Sequence, residues 1–272
     1  MPFFRYNYNK PGPGVDPDEP RKKGVKRFIE VFARDFGGFV LLNLFYCIFM
    51  FVPLVLFVAT DVGVLPLYGF LLSLFAAIPM GGVYCTIVYC ITKMLRDDPE
   101  YVWYDIRRKF VQFFRQGIIP GILFTAFLYG QVFFWRRIMF DVEGTNAFLL
   151  AIEAVSLIII GMAMPYIFMQ IAYVELGLVQ IAKNSLILAI ANAPRSLMGS
   201  FLGNLCWFLF WLLIPLSFYA VPFMFLITFS LSWLLCLMWV WPPVDKQFNI
   251  EKTIRERYDK KLEEKMEEVQ RK

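Results

Sequence analysis

Apolar and polar positions alternate in long blocks along this chain, and the block lengths predict its elements. Residues 1–20, ending in PGPGVDPDEP, are polar and rich in Pro and Gly, which predicts irregular backbone. Over 21–36 the apolar residues Val25, Phe28, Ile29, Phe32 and Phe36 recur at helical spacing. Lys22, Lys23, Lys26, Arg27 and Arg34 lie off that stripe. A basic amphipathic helix beside an apolar block reads as an interfacial helix lying on anionic lipid of the inner leaflet. The apolar blocks then predict six spans, at about 39–59, 64–94, 118–135, 147–174, 199–216 and 221–240. The run from 198 to 241 is too long for one crossing, and Pro215 and Pro222 bracket its break. The second span is also long, and Pro79, followed by Gly81 and Gly82, predicts a kink inside it.

The polar stretches between spans carry helical patterns of their own. In 96–116, Asp98-Pro99-Glu100 has the form of a helix start, and Val102, Ile106, Phe110 and Phe113 make one stripe. Residues 182–196 predict a second, weakly polar surface helix. Residues 250–271 predict a charged helix with favourable Glu251–Arg255 and Glu256–Lys260 spacings. Its narrow stripe of Ile250, Ile254, Tyr258, Leu262 and Met266 suits either a partner surface or a solvated tail.

Composition turns these patterns into a class. The 272 residues are 59% hydrophobic and 18% charged, against about 45–50% and about 25% in soluble domains. Too little polar surface exists to coat a water-soluble globule, which excludes a soluble enzyme, a disordered chain and a small disulfide scaffold. Charge orients the spans. Segments 1–38, 93–117, 176–197 and 243–272 hold 8, 6, 2 and 9 of the 27 Lys and Arg residues, leaving Arg136 and Arg137 for the other side. The positive-inside rule then gives six spans with both termini cytoplasmic. The fold class expected is an all-α polytopic membrane protein with amphipathic cytoplasmic helices. Nothing at the N-terminus has the form of a cleaved signal peptide, so the first span is expected to act as an uncleaved anchor.

Candidate chemistry is sparse. There is no histidine, which removes His-based acid–base catalysis and His-ligated metal or haem. Cys47, Cys85, Cys90, Cys206 and Cys236 all lie in apolar runs and form no CxxC pair. Walker A, HExxH and dinucleotide fingerprints are missing. The expectation is a non-enzymatic protein with no cofactor, metal or catalytic residues. The basic residues answer to topology, so nucleic acid is not expected as a partner.

Glu153 falls about two turns into the fourth span, where an ionisable group usually faces a cavity or a partner. Arg136 and Arg137 end the preceding span on the same side, with Asp141 and Glu143 nearby. Two readings stand: a ligand or ion site near the outer leaflet, or a structural ion pair at a helix hairpin. Asn43, Gln131, Gln170 and Asn204 are read as interhelical hydrogen-bonding groups. Trp207 and Trp211 share a face that could stack on a sugar, or simply pack. Gly117-x-x-x-Gly121 and Gly199-x-x-x-Gly203 open two spans and allow close helix approach. With Pro79 and Pro165 in the spans before them, they suggest a parallel internal repeat, or chance.

One stretch carries a resemblance. Tyr8-Asn9-Lys10-Pro11-Gly12-Pro13-Gly14-Val15, then Glu19-Pro20, a basic aromatic helix, and Leu42-Asn43-Leu44-Phe45-Tyr46 with Pro53 beyond it, resemble the YesL family. These are bacterial integral membrane proteins of unknown function, chiefly from Firmicutes. Family members are often encoded beside carbohydrate ABC transporters and two-component regulators. The resemblance implies a plasma-membrane protein linked to oligosaccharide uptake, with a carbohydrate ABC permease or a sensor kinase as partner. It supplies no site residues. The permease signature, Glu-Ala-Ala followed by Gly, is missing from 96–117 and 176–197. That favours an accessory or assembly subunit over the permease itself, with a stand-alone transporter or channel around Glu153 as the alternative.

Overall fold

Regular structure in the computed structural model is entirely helical among the residues it describes, 21–98, 101–140, 147–174, 176–213 and 220–270. A short helix α1 (Val25–Arg34) leads into α2 (Phe36–Asp61), which carries Pro53 without breaking. Helices α3 (Gly69–Ala76) and α4 (Met80–Arg96) follow, bent by 45° at a break that ends on Pro79. Next come α5 (Val102–Phe140), α6 (Ala147–Tyr173), α7 (Leu178–Ala191), α8 (Ala193–Leu213), α9 (Ala220–Phe248) and α10 (Ile250–Gln270). Four of these, α2, α5, α6 and α9, are long and apolar enough to cross a membrane, and six segments are if each bent pair, α3–α4 and α7–α8, counts as one span.

The centre of the bundle is α4. Met80, Val83, Tyr84, Cys85, Ile87, Val88, Cys90 and Ile91 have no exposed surface. A helix buried on every side needs neighbours that approach closely, and small residues permit it. Gly81 and Gly82 let α5 lie against α4 at Gly117 and Gly121, where a Cβ on Gly121 would come 2.3 Å from the Gly81 backbone. On the other side, Tyr84 packs with Phe124, Phe168 and Phe229, joining α4 to α5, α6 and α9. Tyr46 of α2 stacks on Phe229 with ring centres 3.5 Å apart.

The outer faces are apolar as well. Ile48, Phe51 and Val55 on α2, Leu71 and Phe75 on α3, and Ile152, Val155 and Ile159 on α6 are all exposed. An apolar periphery around an aromatic interior is what a bilayer solvent demands. Several polar side chains inside the bundle pair between helices, although Gln170 Oε1 is left without a hydrogen-bond partner. Asn43 Oδ1 accepts from the Ser230 backbone N–H at 2.9 Å. Gln131 donates to Asn204 at 2.9 Å, and Gln170 donates to Ser185 at 2.8 Å. All four intramembrane amides singled out in the sequence thus bridge helices, as expected there.

Several boundaries differ from the sequence reading. From Val102 onward the polar stretch and the third span are one continuous 39-residue helix, α5, because a change from polar to apolar composition does not interrupt backbone hydrogen bonding and Gly117 serves packing, not termination. Its predicted stripe is covered, with Ile106 and Phe113 buried and Val102 and Phe110 half-buried. The second surface helix ends earlier than expected, at Ala191, and α8 starts at Ala193 after a 99° bend. Pro194 in the first turn of α8 accounts for that start. The last span runs on through Pro242 and Pro243 to Phe248, held by buried Val240, Trp241 and Val244.

The suggested repeat is not reproduced in the packing. Pro79 ends a break, whereas Pro165 sits inside unbroken α6. Gly117 and Gly121 face the preceding α4, whereas Gly199 and Gly203 face the following α9 at Cys236 and Ser232. The irregular segment 1–20, the Pro99-Glu100 helix start, Glu175 and the break around Pro215 lie outside the described residues.

Candidate functional site

The charged end of the bundle is built around the C-terminus of α4. Asp97 follows that helix in the left-handed conformation, with φ 62°. The last carbonyls of a helix lack partners and carry partial negative charge. Here three arginines supply both the hydrogen bonds and the charge. Arg34 donates to the Met94 carbonyl at 2.7 Å, Arg27 to the Leu95 carbonyl at 2.7 Å and Arg21 to the Arg96 carbonyl at 2.9 Å. Asp97 sits among the three guanidiniums, 2.7 Å from Arg27 and 3.2 Å from Arg21, and also pairs with Arg34. Partial burial raises the pKa of Asp97, but the hydrogen bonds from Arg27 and Arg34 outweigh it and hold the carboxyl below its ordinary value. Arg21 reaches on to Glu251 at 2.7 Å, tying the segment before α1 to the first turn of α10.

This corrects the reading of α1. Arg27 is buried, although the sequence pattern set it on the outward polar face, while Val25 and Ile29 are exposed. The helix leaves Val25 and Ile29 outward, buries Val31 and half-buries Phe28 and Phe32 against the bundle, and reaches Arg27 and Arg34 onto the end of α4. One signal in the sequence pointed there. Asp97-Asp98 directly after a helix C-terminus is electrostatically unfavourable unless cations arrive from elsewhere.

Beside this cluster opens a cavity of about 910 Å³, bounded by the ends of α4, α6 and α9, the first half of α5 and the start of α10. Its charged lining residues are Lys93, Arg96, Asp98, Lys109, Arg115 and Arg257. Lys93 pairs with Asp105 at 2.6 Å, and Arg96 with Asp98 at 2.6 Å. Lys109 lies over the ring of Tyr89, 4.6 Å from its centre, and donates to the neutral Gln112. The Arg96 guanidinium is packed against Tyr173 and Trp241, 5.1 and 5.5 Å from their ring centres, a cation–π arrangement. A second cavity lies within the bundle between α5, α6, α8 and α9, lined by Gly161, Pro165, Gly199 and Gly203 among others, and holds about 50 Å³.

Glu153 occupies the second turn of α6 and is half-buried, beside exposed Ile152 and Val155. The side chains of Arg136 and Arg137, and the loop with Asp141 and Glu143, lie outside the described residues, as do the side chains of Trp207 and Trp211.

The arrangement defines a multi-pass α-helical membrane protein with a basic cavity at one end of its bundle. No protein-family model matches the chain, and no curated protein or solved structure is similar to it.

Proposed function

We propose that this chain is a non-enzymatic accessory or assembly subunit of an oligosaccharide ABC uptake system. In this reading it sits in the bacterial plasma membrane with six spans and both termini in the cytoplasm. Its partner is the carbohydrate permease or a sensor kinase, and α10 is the helix that reaches it. The observation that carries the reading is the state of α10. Ile250 is buried and Ile254 half-buried, but every described side chain beyond Ile254 is exposed, Tyr258 and Met266 included. An unsupported helix of about this length is only marginally stable in water, so an ordered, uncovered α10 suits a surface that another protein covers. The expected favourable pairs Glu251–Arg255 and Glu256–Lys260 are replaced here by a loose Lys252–Glu256 contact at 3.9 Å. The charge distribution and the resemblance to the YesL family support the orientation and the link to carbohydrate uptake.

A stand-alone transporter or channel around Glu153 is the second reading. What favours it is Glu153 itself, an ionisable residue half-buried in the second turn of apolar α6.

Affinity purification of the full chain from native membranes in a mild detergent, with mass spectrometry, tests the proposal. Stoichiometric recovery of carbohydrate permease or sensor-kinase subunits, lost when the chain is truncated after Phe248, is the expected result. Recovery of this chain alone overturns it.

A further inference from the structure

We propose that the 910 Å³ cavity at the charged end is a binding site for a phosphate group, with Arg96 at its wall and Lys109, Arg115 and Arg257 around it. The inference stands apart from the choice of protein partner and rests on charge, volume and one unsatisfied side chain.

Five cationic residues and one carboxylate line the cavity among the described residues. Pairing removes two of the cations: Lys93 is neutralised by Asp105 and Arg96 in part by Asp98. Lys109, Arg115 and Arg257 face the same space with no carboxylate within ion-pair distance among the described residues. Glu175, between the lining residues Val174 and Leu176, lies outside those residues. Like charges gathered on one concave surface repel and concentrate anions there.

Arg96 makes the requirement sharper. Its side chain is only 4% exposed, and it cannot shed its proton. Asp98 takes one Nη2 hydrogen bond, while Nε and Nη1 are buried with no hydrogen-bond partner. Buried, unsatisfied donors on a permanent cation are costly. A dianion in the cavity that Arg96 lines offsets the guanidinium's buried charge.

The number of cations selects the anion. A carboxylate brings one charge. A phosphoryl group brings close to two, with three acceptor oxygens, and matches arginine geometry. The cavity is large enough for a small phosphorylated molecule, and the phosphomonoester headgroup of phosphatidic acid presents the same group, whereas the phosphodiester of phosphatidylcholine carries only one charge.

The experiment is calorimetric titration of inorganic phosphate into the full chain in phosphatidylcholine nanodiscs, at constant ionic strength against chloride. Saturable binding is expected, weakened at least about tenfold by Arg96→Gln. Because Arg96 is buried, Lys109→Gln and Arg257→Gln serve as accessible variants and should each weaken binding several-fold. Arg108→Gln, exposed on the same helix and away from the cavity, should not. Repeating the titration in discs containing phosphatidic acid separates the sources. Suppressed phosphate binding with retained anionic lipid identifies a headgroup site, and undiminished binding identifies a soluble phosphate compound. No saturable binding in folded wild type in phosphatidylcholine discs, or equal binding by all the variants, overturns the proposal and places the balancing charge within the chain itself.

Discussion

A Cβ atom on Gly81 would lie 1.7 Å from the carbonyl oxygen of Gly117, so α4 and α5 meet backbone to backbone at these two residues. No flexible side chain is available to move aside. Gly81→Ala should therefore force the helices apart and cost about 3 kcal/mol, at the upper end for overpacking. Gly37→Ala is the control, since a Cβ there meets nothing within 4 Å. In an exposed helical position the change should stabilise by roughly 0.5–1 kcal/mol. Thermal melts in detergent, read by size-exclusion chromatography, distinguish the two. Equal melting temperatures would show that the crossing is not close.

Asp97 gives a pH signature with a definite sign. Its folded pKa is depressed by Arg27 and Arg34 against the opposing effect of burial. Stability from this group is therefore fully present above its unfolded value, about 4, and is lost as pH falls through the lower folded value. Asp97→Asn keeps a residue that tolerates the left-handed backbone, so it isolates the charge. The variant should be destabilised at neutral pH by about 1 kcal/mol, since the carboxylate is partly exposed and screened. Its melting temperature should also fall less than wild type's between pH 5 and 3. A parallel fall in both proteins would remove Asp97 from the account.

A hydrogen-bonded clasp joins the first and last spans. Asn43 Oδ1 accepts from the Ser230 backbone N–H, and Ser230 Oγ donates to the Phe39 carbonyl at 3.0 Å. Interhelical hydrogen bonds in membranes contribute about 1 kcal/mol each. Asn43→Ala and Ser230→Ala should each lower stability by about that amount. The double variant should lose less than the sum, because both act on one contact between α2 and α9. Strict additivity, measured by denaturant unfolding, would mean that the two residues act independently.

How far the sequence foretold this arrangement differs from element to element. Long apolar blocks, Pro79 and the four amides could be read because each is a local consequence of helix periodicity or of an unmet polar group in hydrocarbon. The central place of α4 could not. Its Gly, Cys, Thr and Tyr residues make it less apolar than α2, and nothing in a single helix's pattern says how many neighbours surround it. The burial of Arg27 was hidden for a related reason. Amphipathicity separates polar from apolar faces but does not tell water from a distant helix terminus. The basic cavity was hidden further still, because its cations come from α4, α5 and α10, and charge counting assigns all of them to topology.

Glu153 separates the two readings of function. In an accessory subunit, Glu153→Gln should leave both the fold and the recovery of partner subunits unchanged. In a transporter, the same variant should abolish substrate flux into liposomes while the protein remains folded. Flux by the purified wild type that disappears in Glu153→Gln would replace the accessory reading.

Orientation and span count can be tested together. Ala147 opens α6 and Lys260 lies in the exposed part of α10. With six spans and both termini inside, three crossings separate these positions, so they lie on opposite sides. If α7 and α8, which bend by 99°, formed a re-entrant hairpin, only α6 and α9 would cross between them, and the two positions would share a side. Cys85, Cys90 and Cys236 are buried, and Cys47 and Cys206 lie within apolar helices, so background labelling should be low. Ala147→Cys should react with an impermeant maleimide on intact cells, and Lys260→Cys only after permeabilisation. Both reacting on intact cells, or both only after permeabilisation, would make the α7–α8 pair re-entrant. The reverse pattern would invert the orientation that the Lys and Arg distribution predicts.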